Sequence, residues 1–174
     1  MLYSFDGREP KIGNETYVGE NAMVIGDVKI GNNCYIGHGA ILRGDYGTIE
    51  IGDGTSIEEG VIVHAPPKRV CSIGERVTVG HGAVIHSKSI GNSAVIGMGS
   101  VLSMFAEVGE WAIVAEGSIV KMWQKVPDGM VVAGNPAKTI REASPEDKKN
   151  WDWGKQLYID LAKKYLTIGM KRLD

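Results

Sequence analysis

The sequence predicts an all-β fold, a parallel β-helix of hexapeptide repeats wound into a triangular prism, followed by one α-helix packed alongside. Three observations carry this expectation. Twenty Ile, Val or Leu residues stand at near six-residue intervals from Ile12 to Val132; many are followed by glycine; and an amphipathic segment begins once the period stops.

The repeat runs Ile12, Val18, Val24, Ile30, Ile36, Leu42, then Ile51, Ile57, Val63, then Ile73, Val79, Ile85. It closes with Ile90, Ile96, Leu102, Val108, Val114, Val120, Val126 and Val132. Each hexad supplies a short strand and a corner, its aliphatic side chain pointing inward and its glycine tolerating the dihedrals of the corner. Three hexads make one coil, so residues about eighteen apart stack on one face. Three intervals break the period: nine residues from Leu42 to Ile51, ten from Val63 to Ile73, and five from Ile85 to Ile90. Insertions in a solenoid are expected as loops thrown out at corners, often on the binding face. Here they hold Arg43-Gly44-Asp45-Tyr46-Gly47 and His64-Ala65-Pro66-Pro67-Lys68-Arg69.

Ala133 to Lys138 reads as the turn that ends the prism. Ser144-Pro145-Glu146-Asp147 then reads as a helix start, with an N-cap serine, proline at the first helical position and acids in the first turn. Trp151, Tyr158, Leu161, Tyr165 and Ile168 give the apolar face of a helix of roughly twenty residues, folded back along the prism, with Gly154 a local weakness. The expected division is a β-helix domain over 1–140 and a C-terminal helix and tail over 141–174.

Lys and Arg number 19 against 21 Asp and Glu, a formal charge of −2 that offers no general field for nucleic acid or anionic membrane. Asp6, Arg8 and Glu9 rule out a secretory apolar region at the start, and no apolar run approaches the ~20 residues that span a bilayer. Cys34 and Cys71 each stand two residues before an inward aliphatic, the place of a small buried residue. Free thiols in a reducing cytoplasm are the expectation.

Register turns the histidines into geometry. Val63 and Ile85 are 22 apart, one coil plus four inserted residues, so they stack. His64 and His86 each follow their aliphatic directly and therefore stack as well, about 4.8 Å apart at the backbone. Arg43, following Leu42, joins that column one coil earlier. Two imidazoles so placed can share one metal ion. His81 lies on the preceding face, around a corner from His86, with Glu59 and then His38 before it in its column. A lone His38 reads as a surface residue or a satisfied hydrogen bonder. Two ligands are fewer than the three of a catalytic zinc, and a neighbouring prism with cyclic symmetry could bring its own His81 opposite the pair.

Leu42-Arg43-Gly44-Asp45, Thr55-Ser56-Ile57-Glu58-Glu59-Gly60 leading to His64, and Val79-Gly80-His81-Gly82-Ala83-Val84-Ile85-His86 together resemble the γ-class carbonic anhydrases, over about Pro10 to Tyr165. The resemblance implies a left-handed coil and a homotrimer. It implies zinc, with iron or cobalt also compatible, bound by His64 and His86 of one subunit and His81 of its neighbour. It implies the reversible hydration of CO₂ to bicarbonate by metal-bound hydroxide at the subunit interfaces. Arg43 and Asp45 match family residues that organise the interface and the pocket. Tyr158 matches a tyrosine of the C-terminal helix that points into the pocket in shorter relatives; a plain packing aromatic is the other reading.

The chain departs from the family at Ser56, Glu58 and Glu59, which stand where relatives carry Asn, Gln and Asp. Ionised Glu58 only accepts hydrogen bonds, so it would serve as a base or proton relay, or it would oppose bicarbonate. Glu59 is a second candidate proton carrier and also a candidate hydrogen-bond partner for His81. Two alternatives stay open. One is a hexapeptide acyltransferase using acyl-CoA; the other is a metal-binding relative with little hydratase activity.

Overall fold

A computed structural model describes residues 1–173 of the chain. The predicted aliphatics fall into three columns, each paired in parallel from coil to coil. Val24, Leu42, Val63, Ile85, Leu102 and Val120 line the first face. Ile12, Ile30, Ile51, Ile73, Ile90, Val108 and Val126 line the second. Val18, Ile36, Ile57, Val79, Ile96, Val114 and Val132 line the third. All are buried except Ile12 and Val18 of the first coil, which are half-buried. Each buried side chain contributes about 1.5–3 kcal/mol against exposure, so a parallel β-solenoid of about seven turns holds its strands by one continuous core.

The Leu42–Ile51 insertion corrects an expectation. It is no loop: a single strand, Ile41–Ile51, runs straight through the corner, and Met23–Ile30 runs beside it with a register shift after Gly26. Two opposed glycines allow this. A Cβ on Gly44 would lie 2.4 Å from the Asp27 carbonyl oxygen, and one on Gly26 would lie 2.5 Å from that of Gly44. The backbones close to a distance that a side chain would not permit, and the inserted residues are taken up just beyond it, where the pairing jumps from Gly26–Gly44 to Val28–Ile49. The Val63–Ile73 insertion does leave the sheet, as the segment from Ala65 to Arg69 between the strands Ile62–His64 and Val70–Ile73.

Elsewhere the corners take left-handed dihedrals, and several carry side chains instead of glycine. Phe105 and Trp123 hold φ of +64° and +63°, where a non-glycine residue bears about 1–2 kcal/mol of strain. Cys34 and Cys71 are free and buried, and burial pushes their thiols up to about 11 and about 12.

After the prism, a strand absent from the sequence reading, Lys138–Glu142, returns antiparallel on Met130–Ala133 and closes the third sheet. The helix follows over Pro145–Ile168. Its capping box is complete: Ser144 accepts from the Asp147 amide while Asp147 accepts from the Ser144 amide. The helix runs back over the third face, where Tyr165 stacks on Tyr17 with centroids 4.5 Å apart and Tyr158 meets Tyr35 at 5.2 Å. Arg76 fastens it through Asp152 at 2.7 Å.

Of the expected apolar face, Tyr158, Leu161 and Tyr165 do pack against the prism, half-buried, beside the buried residues of the helix. Lys155, Ile159 and Ala162 are the buried residues, whereas Ile168, at the end of the helix, is 73% exposed. Lys155 lies under the rings of Trp111 and Trp151. Gly54, at φ +65°, leaves room for Ile159, whose Cδ1 would sit 3.1 Å from a Cβ there. Among the described residues no helix is long and apolar enough to cross a membrane.

Candidate metal centre

His64 ends its strand directly opposite Arg43, and His86 follows Ile85 one coil further on. Their rings stack with centroids 4.9 Å apart and planes 26° from parallel. Asp45, carried round the corner by the Gly44 approach, meets His64 Nε2 at 3.1 Å and is itself held by Arg43 at 2.7 Å. Burial raises the Asp45 carboxyl, but the His64 ring, the Tyr46 amide and Arg43 outweigh it and hold it below the usual carboxylate range.

His86 is the informative member. Its Nε2 is buried and has no hydrogen-bond partner among the described residues. Burial, then His64 and Arg43, depress its pKa and favour the neutral ring. A buried unpaired nitrogen on a neutral imidazole is an uncompensated cost of about 1–3 kcal/mol, and a lone pair in that state is what a borderline divalent ion takes. The pair therefore fits a metal.

His81 lies on the third face, its side chain 45% exposed, with both ring nitrogens against carboxylates: Nδ1 on Glu59 at 2.8 Å and Nε2 on Glu58 at 3.1 Å. Glu58 also accepts from the His81 amide at 3.2 Å and from the Tyr158 hydroxyl. Only 4% of Glu58 is exposed, and burial raises its carboxyl above the ordinary range even though His81 and Tyr158 pull the other way. For Glu59 the balance reverses. Burial raises it, but Tyr35, its own backbone amide and His81 leave it lowered. One imidazole thus sits between one carboxyl that is easily protonated and one that stays charged.

Within a chain the structure brings Arg43, Asp45, His64 and His86 into one cluster and Glu58, Glu59, His81 and Tyr158 into another. Tyr158 lies against both Tyr35 and Glu58. His38 joins neither cluster: its Nε2 is 3.3 Å from the Tyr17 hydroxyl and its ring packs edge-on to Tyr165, a satisfied hydrogen bonder. The residue missed from sequence is Tyr35, which donates to Glu59. Its signal was its place directly before Ile36, which faces it outward one coil before Glu59.

Two family models match the chain, bacterial transferase hexapeptide over 9–44 and the hexapeptide repeat of succinyl-transferase over 27–65 and 70–103. The chain is similar to a carbonic anhydrase of Geobacillus kaustophilus, 33% identical over 99% of this chain and 94% of that one. It is 36% identical to the mitochondrial gamma carbonic anhydrase 2 of Arabidopsis thaliana over its whole length, spanning 64% of that longer protein. A crystal structure of a hexapeptide transferase family protein from Anaplasma phagocytophilum superposes with a TM-score of 0.90 at 35% identity, covering 95% of this chain and 98% of that one.

Proposed function

The chain belongs to the γ-class carbonic anhydrase family of hexapeptide-repeat proteins, and we propose that it hydrates CO₂ to bicarbonate at metal sites shared between the subunits of a homotrimer. The observation that carries this reading is the stacked pair His64 and His86 with the buried, unpartnered Nε2 of His86. These two would hold zinc, iron or cobalt from one subunit, with His81 supplied by the next. Ile62 and Val84, 40% and 37% exposed, stand two residues before the pair on the same face and give a neighbouring prism an apolar surface to cover.

When bound, the ion would supply a Lewis acid that brings the pKa of a coordinated water toward neutrality. The protein's own groups divide the remaining work. Glu59, on Nδ1 of His81, fixes that ring's tautomer and orientation and leaves Nε2 for the ion once Glu58 lets go. Arg43 holds Asp45, and Asp45 holds His64. Hydration of each CO₂ releases one proton. The Glu58 carboxyl, raised by burial and lying against Tyr158, is the group suited to take that proton and pass it on.

Acyl transfer is the second reading, favoured by the transferase names of the matching family models. Metal analysis paired with CO₂-hydration and acetyl-CoA assays separates the two. About one divalent ion per chain, hydration abolished by a chelator, and a sharp fall of metal in His64→Ala are the expected results. Full metal occupancy in that variant would overturn the site, and acetyl transfer without hydration would favour the second reading.

A further inference from the structure

One corner beyond the imidazole pair, the segment after His64 and the corners of three later coils enclose a cavity of about 500 Å³, a size suited to a small molecule. Lys68 and Arg69 enter it from the insertion and Lys88 from the shortened corner after His86, while Phe105 and Trp123 line its other side. The two aromatic rings stack with centroids 4.2 Å apart and planes 22° from parallel. Trp123 is 64% exposed, so burial does not account for a tryptophan there. Folding does not ask for it either, because both aromatics occupy left-handed corner positions where glycine would be unstrained.

The charge is equally one-sided. Glu107 answers Lys88 at 3.3 Å and Lys125 at 3.2 Å, whereas Lys68 and Arg69 have no ion-pair partner among the described residues. Unanswered cations call for an anion, and a guanidinium beside an ammonium suits phosphate oxygens. A stacked aromatic pair with one face open calls for a planar ring. Both demands meet in a single cavity.

We propose that this corner binds a nucleotide-type ligand, its heteroaromatic ring laid against Trp123 and its phosphates held by Lys68 and Arg69. The site is separate from the metal ligands, and it requires neither an ion nor CO₂. The same chemistry is offered by a free nucleotide and by the nucleotide end of a larger cofactor.

The test titrates the full-length protein by calorimetry with adenosine diphosphate, adenosine, inorganic pyrophosphate and coenzyme A. The diphosphate should bind at least tenfold more tightly than adenosine or pyrophosphate. Coenzyme A binding another tenfold tighter would identify the larger cofactor as the source, and equal affinities the free nucleotide. Trp123→Gly should weaken nucleotide binding at least tenfold while melting at the same or a higher temperature, since it relieves the corner. Lys68→Gln with Arg69→Gln should weaken the diphosphate and pyrophosphate and leave adenosine unchanged. Undiminished nucleotide binding in Trp123→Gly would overturn the proposal. So would pyrophosphate bound as tightly as the diphosphate, the mark of a simple anion patch.

Discussion

The Tyr35 hydroxyl donates to one oxygen of Glu59 at 2.5 Å, and the other oxygen of that carboxylate meets Nδ1 of His81 at 2.8 Å. A tyrosine pinned under the helix therefore sets the orientation of an imidazole whose side chain is 45% exposed on the outside of the prism. The path runs from helix packing to ring orientation through one carboxylate.

That path predicts graded losses of metal. Glu59→Ala removes the group that fixes His81 and should weaken metal binding about 10- to 100-fold, as loss of a ligand's hydrogen-bond partner does. Tyr35→Phe leaves the carboxylate but frees it, and should weaken binding by a smaller factor. Competition against a chelator measures both; unchanged affinity in Glu59→Ala would remove Glu59 from the site.

Sharing of the site between subunits is tested by complementation. Chains carrying His81→Ala and chains carrying His64→Ala with His86→Ala should each be inactive as homotrimers. Co-refolded, every mixed trimer contains one interface where an intact pair meets an intact His81, so at most about a third of wild-type activity per trimer should return. Mixed trimers with no activity and no metal would count against an interfacial site.

Lys155 makes the fold sensitive to pH at the alkaline end. Burial lowers its pKa from 10.5 to about 8. Below about pH 8 the ammonium persists in both folded and unfolded chains, and its desolvation costs roughly 3 kcal/mol, less whatever the Trp111 and Trp151 rings return. Between about pH 8 and 10.5 the unfolded chain binds more protons than the folded one, so this group's contribution makes stability rise with pH; above that window the cost is gone. Lys155→Met should therefore raise the urea midpoint at pH 7 and lose that advantage by about pH 10.5. An equal advantage at both pH values would mean that the charge is not the cause.

Gly44→Ala probes the close approach that carries Asp45 to His64. A methyl group 2.4 Å from the Asp27 carbonyl must force the strands Met23–Ile30 and Ile41–Ile51 apart. Destabilisation of about 1–3 kcal/mol or more, with reduced metal content, is the expected outcome in denaturation and metal analysis. Wild-type values of both would contradict the packing of Gly26 against Gly44.

The columns were legible because a six-residue period fixes both which side chain points in and which coil it belongs to. The same counting stacked His64 on His86, since inserted residues displace the register by a whole number. Spacing alone does not distinguish a loop from a strand that bends, so Leu42–Ile51 read as an excursion. Gly26 and Gly44, eighteen apart and opposed, were the sign that it was not. On the helix, Tyr158, Leu161 and Tyr165 were legible as an inward face, whereas buried Lys155 was not, because a lysine looks like solvent-facing surface. That Tyr158 meets Glu58 is encoded by no local pattern; only the family resemblance pointed this tyrosine toward the pocket.

Tyr165 lies on Tyr17, and 148 residues of chain separate them. Most of a solenoid can be wound as it emerges from the ribosome, each coil seated on the one before. The covering of the earliest coils, however, is translated after every repeat. At roughly 5–20 residues per second, roughly 7–30 seconds pass between the two tyrosines. A nascent chain halted before residue 145 would carry every repeat, yet leave Tyr17 and Tyr35 facing water or a chaperone instead of the helix.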